Sequence, residues 1–177
     1  MNKKFILLFI VIIGIATSLA SAGVFILNKE DEPEESIHLH AGFIVVIDEE
    51  QIDFSSNKYM HINPCTIGDD HGHELTDEEI QEEKAHMHDN IGDVVHVHQS
   101  NAFWKDLFIN IDFEFPENIR GYVNGEIVEN ILEYPILSYD RVLIIDDDSE
   151  LNEEYFDLIP EKNRIIEVEN MSENCGV

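Results

Sequence analysis

Eight of the nine histidines in this chain fall into H-x-H pairs, His38/His40, His71/His73, His86/His88 and His96/His98, and only His61 stands alone. Random placement would rarely pair so many at one spacing. On a β-strand, residues i and i+2 project from the same face, about 6–7 Å apart at Cα. Imidazoles so placed can converge on one ion at ~2.0–2.1 Å per bond, and two such strands side by side offer three or four nitrogens. The chemistry indicated is transition-metal binding. For any one pair, the plain alternative is the solvated face of an amphipathic strand. A cluster that titrates near pH 6 is a second alternative, but it rests on charge and leaves the shared spacing unexplained.

The pairs differ in how well the chain around them positions a ligand. In HLHAGFIVVID (38–48), Leu39, Ala41, Phe43, Val45 and Ile47 fall on one side of a strand, with His38, His40, Ile44 and Val46 on the other. In GDVVHVH, Val95 and Val97 share one face and Val94, His96 and His98 the opposite one. Neither histidine pair competes with the regular apolar alternation, so His38, His40, His96 and His98 are the first candidate ligands. His86, His88 and His61 rank second. The pairs 71/73 and 86/88 flank a short acidic helix, among Asp69, Asp70, Glu74 and Asp89, where they complete the first site or form a looser second one. Zinc is the first choice of metal, since histidine and carboxylate suffice for it. Copper is the second, because Met60, Met87 and Cys65 stand near histidines. No catalytic group is assigned. H-E-x-x-H, C-x-x-C, G-x-S-x-G and a phosphate-binding glycine loop are all absent from the sequence. Asp93 or Glu74 could serve as a base beside an open zinc site, but nothing in the spacing selects catalysis over passive binding.

The elements that must hold these residues read as follows. Residues 39–54 form a hairpin with a turn near Glu49-Glu50. Thr76-Asp77-Glu78-Glu79 is a capping box that starts a polar surface helix running to about Ala85. Ser100 or Asn101 caps a helix carrying Phe103, Leu107 and Ile111, or Trp104 and Phe108. Asn124-Gly125 between two β-rich runs is a strong hairpin signal. LSYDRVLIIDDD is a buried strand; a helix near 150–159 and a strand near 164–169 close the domain. The predicted class is α+β, a small mixed or antiparallel sheet with one or two packed helices, in the order of a β-grasp fold.

Three segments follow from composition. Lys3 and Lys4 precede an uncharged apolar run, Phe5 to Leu27, long enough at ~1.5 Å per residue to span a ~30 Å hydrocarbon core. Residues 1–28 are therefore expected to be a single-pass N-terminal anchor with a cytoplasmic N-terminus, and 29–36 an acidic linker. Residues 37–177 form the domain on the extracytoplasmic face. Ala20-Ser21-Ala22 also fits a signal-peptide cleavage pattern, but the apolar run continues past it. The formal net charge is −28, and all 38 acidic residues follow residue 28. Such a surface repels nucleic acid and anionic lipid, so neither is an expected partner. Cys65 and Cys175 permit one disulfide outside the cytoplasm; Cys65 is otherwise a soft ligand near His61.

H-L-H-A with D-F-S, then H-M-H-D-N-x-G-D-V-V-H-V-H, F-W-K-D-L-F, Y-V-N-G and Y-D-R-V-L-I-I resemble a group of short, membrane-anchored, histidine-rich archaeal and bacterial proteins with no assigned activity. The similarity covers about residues 36–146 and is most specific from His86 to Phe108. It implies exported topology and treatment of the histidines as one set. The expected task is metal capture, buffering or delivery at the cell surface. The alternative is an interaction module in the cell envelope with a structural or pH-sensitive histidine/carboxylate interface, and the third reading is a metal-dependent hydrolase or oxidoreductase.

Overall fold

The computed structural model describes residues 37–61 and 76–171. The apolar N-terminal run, the linker, His71, His73, Glu74, Cys65 and Cys175 lie outside the described residues. Among the described residues, no helix is long and apolar enough to cross a membrane.

The domain is a mixed α+β structure on one six-stranded sheet. Its strands are β1 (Leu39–Ile47), β2 (Glu50–Gln51), β3 (Val94–Val97), β4 (Ile119–Val123), β5 (Glu126–Val128) and β6 (Arg141–Asp146). The order is β2-β1-β6-β4-β5, with β3 pairing β1 as well. β1 runs parallel to β6, Gly42 opposite Arg141 through Val46 opposite Ile145, and the other pairings are antiparallel. The helices are α1 (Asp77–Lys84), α2 (Trp104–Asn110), α3 (Glu154–Leu158) and α4 (Lys162–Glu169).

Period-two alternation divides the sheet between two cores. Ala41, Phe43 and Val45 of β1, with Val95 and Val97 of β3, pack against Trp104, Leu107 and Phe108 of α2. Phe43 and Trp104 are fully buried, their rings 5.6 Å apart; truncating either to alanine would cost about 3–5 kcal/mol. On the other face, Ile44 and Val46 pack with Leu143, Ile145, Tyr122 and Ile159. α4 can approach β1 closely because position 42 is glycine: a Cβ there would lie 3.0 Å from Pro160 and 3.1 Å from Ile165.

Several expectations shift. The first turn is Asp48-Glu49, with φ of 53° and 63°, one residue earlier than the charge pattern suggested. Glu49 holds this left-handed pair by donating its N–H to Ser149 Oγ at 2.8 Å. α2 starts at Trp104, because Ala102 and Phe103 are engaged beforehand: Ile136 N–H donates to Ala102 O and Trp104 N–H to Tyr134 O. The predicted strand near 164–169 is helix α4. Its β-branched residues favour a strand locally, yet Ile165 and Val168, one turn apart, are buried together with Ile91 and Val94. The Asn124-Gly125 turn holds, with φ of 52° and 86°, and so does the capping box: Thr76 Oγ1 accepts from Glu79 N, while Glu79 Oε2 accepts from Thr76 N.

Candidate metal centre

β1 and β3 lie side by side, with His40 directly opposite His96. A third extended segment flanks β3 on its far edge. His86 N–H donates to His96 O at 2.9 Å, and His96 N–H returns to His86 O at 2.8 Å. The chain reverses between these segments through Asp89-Asn90, both left-handed at φ 56° and 59°. Asn90 anchors that turn by donating from Nδ2 to Ser55 O at 2.9 Å. His61 follows on the outer side, its N–H donating to Met87 O at 2.7 Å. Three H-x-H pairs thus share one face at one end of the sheet.

His96 is the centre of the group. The ring centroids of His40, His98, His38, His88 and His86 lie 4.2, 4.4, 4.6, 4.8 and 5.2 Å from its own. His61 joins through His86 at 4.8 Å. Donor atoms of His38, His96 and His98 all fall within 4.8 Å of one another, a group that could hold a metal ion. His40, His86, His88 and His96 are buried, whereas His38 is exposed at the rim.

Burial decides the charge state. His40 is pushed down to about 4, first by desolvation and then by His38, His88 and His98. His96 is held far below the ordinary histidine range by desolvation and by His40, His86, His98 and His88. His86 is lowered by desolvation, His61, His98 and His88, against a smaller opposing effect from the Glu82 carbonyl. Packed cationic imidazoles would repel one another without solvent to screen them. The neutral ring that results is also the form that binds a metal.

Hydrogen bonds orient the rings. His88 Nδ1 donates to Asp89 Oδ2 at 2.7 Å, which leaves its Nε2 as an acceptor for His96 Nδ1, also at 2.7 Å. His96 must then present the lone pair of Nε2 toward His38, whose own Nε2 is 2.5 Å away. This relay from a carboxylate through one imidazole to another resembles the outer shell that sets tautomers in metal sites. His40 Nδ1 is buried with no hydrogen-bond partner among the described residues, a cost that an ion or its bound water would relieve.

All seven candidate histidines among the described residues join one connected cluster. Two anticipated soft or basic groups do not join it in the manner expected. Met87 alternates with His86 and His88, so its side chain enters the opposite core and is fully buried there; it cannot tilt the site toward copper. Asp93 lies 3.9 Å from the Arg164 guanidinium rather than standing as an isolated base.

The supporting residues gave little warning in the sequence. Asn110, at the end of α2, donates from Nδ2 to the carbonyls of Gln81, Glu82 and Ala85, binding the end of α1 just before His86. Buried Asp106, one turn earlier, accepts from Lys84 Nζ and Gln81 Nε2. Their i, i+4 spacing is a visible signal only once α1 is known to lie against that face. No family model, curated protein or solved structure matches this chain.

Proposed function

We propose that this domain captures and holds a divalent transition metal, zinc before copper, at the outer face of a membrane to which residues 1–28 anchor it. His38, His96 and His98 are the ligands, with His40 beside them. The carrying observation is the approach of donor atoms of three histidines to within 4.8 Å of one another across neighbouring strands. The depressed proton affinity of His96 and His40 supports the same reading, because a site kept neutral needs no deprotonation before loading. The strand order, with a parallel β1–β6 pair at its centre, supports a β-grasp-like scaffold to which β3 and the His86/His88 segment add a metal-bearing edge.

Elemental analysis of the full chain, prepared without a polyhistidine tag, tests the proposal. Bound zinc or copper should fall by one ion per chain in His96→Ala/His98→Ala. An unaltered chain free of both metals after incubation with each would defeat it. A second reading, a metal-dependent hydrolase, draws on the same geometry: three histidines leave a fourth tetrahedral position for water. Hydrolysis of an activated ester by the zinc-loaded chain, abolished with the metal, would favour it.

A further inference from the structure

The seven histidines are more than one tetrahedral ion can use. Donors on a common ion at ~2.0–2.1 Å lie only about 3.4 Å apart. His61 meets one other imidazole ring among the described residues, that of His86. His88 is committed to linking Asp89 with His96. This leaves His61 and His86 as a pair at the edge of the cluster: His86 packs on His96 and His98 at 5.2 and 5.4 Å, and His61 lies on its other side, 4.8 Å from it.

Independent features at that pair point to a ligand. His61 Nε2 is buried and has no hydrogen-bond partner among the described residues. His86 Nδ1 faces the Glu82 carbonyl at 3.3 Å, so its other nitrogen, Nε2, carries the lone pair. Beside both rings is a cavity of about 130 Å³, and among the described residues His61 and His86 are the histidines in its wall. Met60 and Glu82 also line the cavity. A water molecule occupies about 30 Å³ of liquid, so the cavity accommodates an ion with its remaining water ligands. Asn110 also lines it, and its bonds to the end of α1 brace the wall that carries Glu82 and leads to His86.

We infer that His61 and His86 hold a second transition metal ion, separate from the first and completed by water. This rests on the metal-binding reading above, and its test separates the two. The full-length chain in detergent, untagged, is dialysed against zinc chloride and then against metal-free buffer. Ions per chain are counted by native mass spectrometry and checked by elemental analysis. The unaltered chain should hold two. His61→Ala should hold one, as should His38→Ala/His98→Ala. His61→Gln, which retains a polar group of similar size, serves if the alanine variant unfolds. Any other count in the unaltered chain, or a count unmoved by the His61 substitutions, overturns the second site. A chain that holds no zinc removes the first site as well.

Discussion

Acid should unfold the metal-free chain sooner than its carboxylates alone would dictate. His40 titrates at about 4 when folded, against 6.5 in the unfolded chain. A folded-state pKa below the unfolded one means that the unfolded chain takes up the proton first. The associated stability is therefore intact above about pH 6.5 and is lost as pH falls from there toward 4. At 1.36 kcal/mol per pKa unit, His40 by itself removes about 2 kcal/mol by pH 5. His86 and His96 shift in the same direction and add to this loss. Asp140, whose carboxyl is raised by desolvation, acts with the opposite sign. The assay is urea unfolding of the chelator-treated chain from pH 7.5 to pH 5. It is followed by the fluorescence of Trp104, the only tryptophan, which is fully buried. With a urea dependence of about 2 kcal/mol/M, the midpoint should fall by at least about 1 M across that range. His40→Asn should flatten part of the slope. A midpoint constant to within about 0.2 M would show that these imidazoles are solvated and charged like free histidine, and the burial argument would fail.

Two further perturbations address the support of the site. Asp89→Asn keeps a polar neighbour for His88 but removes the carboxylate that sets its tautomer; zinc affinity, measured by competition with a chelating dye, should drop about 10–100-fold while the fold persists. Gly92→Ala would set a Cβ 2.4 Å from both the Phe54 carbonyl carbon and the Ser55 nitrogen. Because those contacts are backbone, urea unfolding should show a loss of at least about 1–3 kcal/mol, and an unchanged midpoint would contradict the packing described.

The parts legible in the sequence were those with a short period or a specific turn chemistry. Alternation around Phe43 and Val95 placed His38, His40, His96 and His98 on one face, and Asn124-Gly125 marked its hairpin. The reversal at Asp89-Asn90 is hidden although its residues tolerate positive φ, because the capping box before them makes His86 and His88 look like the flank of a helix rather than a strand facing β3. H-x-H on both sides of that reversal is the visible trace of the third extended segment. α4 is obscure for a different reason. The run Ile165-Ile166-Glu167-Val168 favours extended structure by local propensity, and only the space above Gly42, set by a residue more than a hundred positions earlier, makes a helix the better fit. Asp106 and Asn110 were invisible as site supports because their partners belong to another helix.

His38 occupies an unusual station on β1. The ladder with β3 ends at Leu39 opposite Val97, so His38 stands one residue beyond the last rung. Strand ends fray far more readily than whole domains open. An ion clasped between His38 and His96, 58 positions apart in the chain, would therefore stitch down a loose thread as it binds. Its departure would require only that thread to peel back, leaving the buried rings beneath undisturbed. Residence time at such a clasp would answer to how often His38 leaves the end of β1.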